Sequence, residues 1–324
     1  MSGASNTIPV DDWLRQIDGE YLSTFIKAGG SSVKFAVVPD DALAELRDAV
    51  AKRGAALDYV FVSLDATRLR VHMPQDIFFE LARQVDWRGL ARRVILGLAA
   101  ERNYSVEGID PGGDGDVFDA IARANDLESQ FLLSEIRPAI QERVFRNPNM
   151  ARDFRVAMTQ LCLQEGRRVD GEYPGQPLLD WLTGANTRVS PVRQFSIYTG
   201  INRTTGRHCI ESALHWIRQA GHAGTVILLD NRRVTVARNP RDGLRYYTRT
   251  MAVDHYELLR EFVDDVDRLA GTLMLVATGP GFVDDEPGAR SRGFGIYEAL
   301  KTRVMDDVRD RNRVNPVAAL VRLS

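Results

Sequence analysis

Cysteine is scarce in this chain: Cys162 and Cys209 are the only two in 324 residues. Two cysteines suit a reducing compartment and cannot make a structural zinc site by themselves. Lysine is nearly as rare, since only Lys27, Lys34, Lys52 and Lys301 stand among the 42 basic residues. Long apolar runs are missing too. VILGLAA and TLMLVATG are the longest, far short of the ~20 residues that span a bilayer. The opening MSGASNTIPVDDW has no basic segment followed by an apolar core, so a signal peptide is not expected and a cytoplasmic protein without a membrane partner is. Neither sign of charge dominates: 42 basic against 44 acidic residues leave −2. A bulk electrostatic grip on nucleic acid or acidic membrane is therefore not implied, although a local patch stays open. What is present is ordinary globular material, 44% hydrophobic and 27% charged with 26 Gly and 13 Pro. That composition excludes disorder, collagen and a disulfide-bound mini-protein. The length allows one large domain or two ordinary ones.

The periodicity opens as α/β. Residues 10–28 carry Trp13, Ile17, Tyr21, Leu22, Phe25 and Ile26 at helical spacing and stop at Gly29-Gly30-Ser31. SVKFAVV (32–38) and LDYVFVSLD (57–65) read as buried strands on either side of a helix over 40–54. Residues 75–101 read as helical with a break near Trp87-Arg88-Gly89, and 116–146, 149–166 and 178–184 are helical again. No confident core strand lies between 66 and 206. The α/β pattern resumes with a helix at 207–220, a strand TVILLD (225–230), a helix at 251–269 and a strand TLMLVATG (272–279). A helix at 294–311 and a fifth strand at about 317–323 close it. The division is 1–70 and 207–324 as two halves of one α/β core, with 71–206 as a mostly helical insertion.

Two strands end in polar residues, Asp230 and Thr278, and α/β sheets bind ligands beyond the carboxyl ends of their strands. In a P-loop NTPase, four apolar residues followed by Asp supply the magnesium ligand, and the first strand runs into G-x-x-x-x-G-K-[ST]. On FIKAGGSSVKF (25–35), SALHWIRQAGHAGTVILLD (212–230), DHYELLREFVDDVD (254–267), TLMLVATGPGFVDD (272–285), RGFGIYEALKTRV (292–304) and RDRNRVNPVAALVRL (309–323), the chain resembles the ATP-binding proteins of BREX-type phage-defence systems, an AAA-like branch of the P-loop class. The resemblance implies an ASCE-type sheet of order 5-1-4-3-2 with a large helical insertion between strands 2 and 3. It implies ATP and Mg²⁺ in the family at large, and a place in a multi-protein defence complex.

The phosphate loop departs from that pattern. After FAVV the chain reads Pro39-Asp40-Asp41-Ala42, and no glycine occurs between Gly30 and Gly54. A phosphate cradle needs inward backbone N–H groups in conformations that glycine permits, at a helix N-terminus free to take an anion. Asp40 and Asp41 put carboxylates there instead and are expected to cap the helix. None of the four lysines stands in a Walker A context. Asn231 follows Asp230 where active relatives carry Glu, and a neutral amide is a poor base. The expectation is a pseudo-ATPase with no cofactor of its own, a structural or regulatory subunit partnering an active ATPase or other defence subunits, as a homo- or hetero-oligomer. A genuine ATPase with a non-standard loop, using Arg47 or Arg68 in place of lysine, is the enzyme alternative.

Each remaining candidate has a structural reading beside its functional one. Asp230 and Thr278 are degenerate Walker B and sensor positions, or polar strand ends. Arg292 and Arg303 match family arginines that reach a neighbouring subunit's γ-phosphate, or are simply ion-paired. Arg232, Arg233, Arg238, Arg241, Arg245 and Arg249, with Tyr246 and Tyr247 among them, form a nucleic-acid candidate, so a DNA-binding module is the third alternative; a solvated loop or protein interface is the plainer reading. His208, His215 and His222 are seven residues apart, which is not metal-pair spacing, and Gly112-Gly113-Asp114-Gly115-Asp116 lacks the calcium-loop pattern; no metal site is expected. No G-x-S-x-G, HExxH or Cys/His nucleophile pair is present.

Overall fold

Each of the five segments read as strands contains one in the computed structural model, which describes residues 7–113, 115–165, 172–283, 288, 291–305 and 315–324. The chain divides into two compact units, Met1–Ile77 with His222–Ser324, and Phe78–Gly221. In chain order the first unit opens with α1 (Val10–Ile17), β1 (Ser32–Val37), α2 (Leu43–Ala56) and β2 (Tyr59–Asp65). The second follows α3 (Pro74–Arg83) with α4 (Trp87–Ala100), α5 (Val117–Ala124), α6 (Ser129–Ile140), α7 (Arg152–Gln164), α8 (Gln176–Thr183) and α9 (Arg203–Gln219). The first unit then resumes with β3 (Gly224–Asp230), α10 (Arg249–Asp264), β4 (Thr272–Thr278), the short α11 (Pro280–Val283), α12 (Glu298–Met305) and β5 (Leu320–Arg322).

The five strands form one parallel sheet of order β2-β3-β4-β1-β5. Read from the β5 edge, this is 5-1-4-3-2. Both faces are covered, which is why the central strands β3 and β4 are apolar on every side chain but their ends. On one face Val226, Leu228, Leu273, Leu275 and Ala36 pack against Trp13, Ile17, Leu46 and Val50 of α1 and α2. On the other, Phe35 stacks on Phe282 at 5.7 Å, and Phe282 meets Tyr256 of α10 and Phe294. Gly224 has φ +149°, and a Cβ there would lie 2.0 Å from the Gly271 carbonyl oxygen. Only glycine lets β3 start this close to the turn that feeds β4.

Several boundaries differ from the periodicity, each for a local reason. The expected helix over 10–28 changes pitch at Asp18: Asp18–Phe25 is π-helical, with Ile26 N donating to Tyr21 O and Gly30 N to Phe25 O. β5 is shorter than 317–323 because the Val317 and Ala318 carbonyls accept instead from Lys34 Nζ, at 2.5 and 3.3 Å. Lys34 also lies over the Tyr21 ring. The break expected near Trp87 falls just before it, over 84–86, because Asp86 caps α4 through Gly89 N and the Trp87 indole N–H donates to Ala82 O. The run over 116–146 breaks at Asn125, whose amide bonds Ser105 O and Ile121 O, before Asp126 turns left-handed at φ 53°. The expected helix to 311 is α12 over 298–305, and residues 306–314 lie outside the described residues.

The second unit is all helix among its described elements. Phe78, Trp87 and Phe154 pack edge to face in it. Asn202 and Thr205 start α9 with a reciprocal capping box. Glu165, whose side chain is fully buried, accepts from both Arg88 and Arg92. Burial pushes the Glu165 carboxyl up, but bonds from Arg88, Arg92 and Tyr173 outweigh it and hold the group below the usual range.

Candidate functional site

The polar residues gather at the carboxyl end of the sheet, on two faces set by strand alternation. On the α2 face β3 ends in Asp230, and in register beside it β2 ends in Asp65. Arg232 folds back in the same turn: its backbone N–H and its Nε both donate to Asp230 Oδ1, at 3.1 and 3.0 Å, and Nη2 donates to Oδ2 at 3.0 Å. The remaining arm of the guanidinium, Nη1, reaches Asp40 Oδ1 at 2.8 Å. A single arginine thus joins the end of β3 to the turn that leaves β1. The bond to Asp230, with the charge of Asp40 behind it, raises the Arg232 pKa and keeps the group cationic.

That turn is Val38-Pro39-Asp40-Asp41-Ala42, closed by Ala42 N donating to Pro39 O. The expected capping is not formed. The N-cap of α2 is Ala42, with no side-chain bond to the helix. Pro39 fixes a tight turn that leaves the Asp40 and Asp41 side chains exposed, and the Asp40 carboxylate takes Arg232 as partner instead. Asp41 makes no hydrogen bond or ion pair among the described residues.

On the opposite face Asn231 and Thr278 close β3 and β4, both fully buried. His255 of α10, also fully buried, lies with Nδ1 2.9 Å from Val71 O and Nε2 2.7 Å from Asn231 Oδ1. Burial lowers the imidazole pKa to about 4, so the ring is neutral at pH 7. Nδ1 then carries the proton toward Val71, and Nε2 must accept. Two acceptors cannot share a bond, so the Asn231 amide is turned with Nδ2 on the ring. One end of that amide, and the Thr278 hydroxyl, have no partner among the described residues. Asn231 is thereby occupied as a donor to His255 and has no basic atom to offer a water.

The arginine candidates separate. Arg233 is held by Asp242 and by the Arg245 and Leu244 carbonyls. Arg245 donates to Arg68 O and Arg249 to Gly288 O. Arg238 and Arg241 are exposed on the loop, and no ion pair involves them among the described residues. Tyr247 is fully buried and bonds the Ala66 and Leu69 carbonyls, so it fastens the turn after β2 and offers no ring for stacking. Arg303 is tied to Asp264, which Arg260 also holds. The Arg303 bond, with Arg260, keeps the Asp264 carboxyl below its ordinary pKa. Arg292 donates to Ser291 O, and its own carbonyl accepts from Tyr256.

The other motifs are local fasteners. Asp116 caps α5 through Phe118 N and Asp119 N, and Asp114 lies outside the described residues. His215 bonds the Asn147 amide, while His208 is exposed. No group of three metal-ligating side chains is found among the described residues. Arg47 pairs with Asp48 next to it. The cation at the strand ends is Arg232, which sequence reasoning weighed only as a nucleic-acid contact; its spacing of two from a strand-end aspartate was the available signal. His255 carried no signal at all, because its partners are 24 and 184 positions away.

An all-parallel, five-stranded α/β sheet with polar side chains at its carboxyl end is consistent with the P-loop-like class of nucleotide-binding folds. The family model for the BREX system ATP-binding protein BrxC/D matches residues 117–324. The chain belongs to that family. The match takes in Asp230, Asn231, Thr278, Arg292 and Arg303 and leaves β1, the Pro39–Ala42 turn and β2 outside it. Searches of curated proteins and of solved structures return no significant match. No helix among the described residues is long and apolar enough to cross a membrane.

Proposed function

We propose that this chain is a catalytically degenerate, AAA-like P-loop protein, a structural or regulatory subunit of a BREX assembly whose ATP is turned over by another subunit. The observation that carries the reading is the Asp40–Arg232–Asp230 bridge across the ends of β1 and β3. A triphosphate beside the first strand needs backbone N–H groups and a cation directed at it. Here Arg232, the cation at the strand ends among the described residues, is engaged by two carboxylates, and a further carboxylate, Asp41, stands in the same turn. The residues present do not fit ATP. Asn231, committed to His255, cannot replace the glutamate that activates water. The sheet persists because it is the core of its unit; the cradle is not needed for folding.

The test is Mg²⁺·ATP added to purified protein, read by thermal shift and equilibrium dialysis. A ligand at about 100 times its Kd stabilises by about 2.7 kcal/mol, so 1 mM ATP reveals any site of roughly 10 μM affinity. No shift, no retained nucleotide and no phosphate release are expected. A shift that disappears in Asp230→Asn refutes the proposal. Co-purification with the other subunits of the system, with the ATPase activity residing in a partner, is the matching positive result.

A further inference from the structure

We propose that Asp40 is an internal stand-in for a phosphate group. Its carboxylate fills an anion position on Arg232 and keeps that position closed to phosphate ligands. The inference rests on the degenerate-site reading above and deepens it: it names the residue that excludes the ligand and the ligand class excluded.

Three observations point to it. Arg232 is oriented by the protein independently of Asp40, because Nε, Nη2 and the backbone N–H are all fixed by Asp230. That leaves Nη1 as a positioned donor at the strand ends, and Asp40 meets it at 2.8 Å from a side chain 99% exposed. An exposed, otherwise uncommitted carboxylate on a prearranged guanidinium adds little to folding, so its consequence lies in what it displaces. A guanidinium N–H donates to a carboxylate or a phosphate oxygen alike, so the Asp40 carboxylate and a phosphate oxygen compete for the one position on Nη1. Asp41, one residue on and equally charged, makes no such contact among the described residues.

The experiment compares the full-length wild type, Asp40→Asn, Asp41→Asn and Asp40→Asn/Arg232→Met, each titrated with inorganic pyrophosphate at low ionic strength by calorimetry and thermal shift. Asp40→Asn and Asp41→Asn change net charge equally, but only the first frees Arg232. Asp40→Asn should bind pyrophosphate at least about tenfold more tightly than wild type, as removal of one adjacent like charge predicts. Asp41→Asn should stay at the wild-type level, and the double variant should lose the gain. Equal gains in Asp40→Asn and Asp41→Asn reduce the effect to general electrostatics and overturn the inference, as does no gain in Asp40→Asn with its unliganded melting temperature unchanged. If Asp40→Asn melts lower, Asp40→Ser, which also frees Nη1, repeats the titration, and no gain there overturns the inference too. Wild-type protein that already binds pyrophosphate and ATP tightly refutes instead the degenerate-site reading. The two failures are thus distinct.

Discussion

Acidification should destabilise the α/β unit through His255, and the amount follows from the structure. The imidazole is fully buried between Val71 O and the Asn231 amide. Burial, with the nearby His72 charge adding to it and the Val71 bond opposing, lowers its pKa to about 4. In the unfolded chain a histidine titrates near 6.5. The folded state therefore binds the proton less readily, so the contribution is complete above pH ~6.5, declines as pH falls through the window from ~6.5 to ~4, and is constant below it. Between pH 7.5 and 5.0 the loss comes to about 2 kcal/mol, or roughly 30-fold in an unfolding constant. Native-state hydrogen exchange at the β3 and β4 amides, corrected for intrinsic exchange, reads it at those two pH values. His255→Gln keeps a donor for Val71 and an acceptor for Asn231 but does not titrate. Wild type should lose about 30-fold more protection than His255→Gln over that interval. Equal losses in the two proteins refute the assignment of a buried neutral imidazole.

Other outcomes are as specific. Glu165→Gln leaves Arg92, whose side chain is only 3% exposed, without its buried counter-charge; a loss of about 3–5 kcal/mol is expected in denaturant unfolding followed by tryptophan fluorescence. Gly224→Ala must place a Cβ against backbone at 2.0 Å with φ +149°, whereas Gly30→Ala meets only the ring of the half-exposed Phe25. The first should cost on the order of 3 kcal/mol or more and the second under about 1 kcal/mol in melting experiments. Arg303→Ala removes an exposed pair to Asp264 and should change stability by less than about 1 kcal/mol. It should also leave the ATPase rate of a co-purified partner unchanged; a fall of about 10³-fold would make Arg303 a trans-acting arginine.

By itself the sequence determined the strands, the helical character of the middle and the chemistry missing from the first turn. Buried parallel strands are short β-branched runs between turn residues, and that signal is local, as SVKFAVV and TVILLD demonstrate. A missing glycine or lysine is equally visible in one dimension. Helix ends were less legible where a side chain decided them: the Asp86 cap moves the break expected near Trp87 to the residues just before it, and Asn125 interrupts a pattern that periodicity carries straight through.

Tertiary structure alone decided what stands at the strand ends. Asp40 and Asp41 look alike as letters, and only the approach of β3 to β1's turn gives one of them an arginine 192 positions away. Likewise Asn231 reads as an altered catalytic residue, yet its amide serves a histidine brought across by α10. Parallel sheets cause this division. Each strand is specified by its own residues, but crossover connections bring the carboxyl ends together from remote parts of the chain, so a site's partners leave no spacing to read.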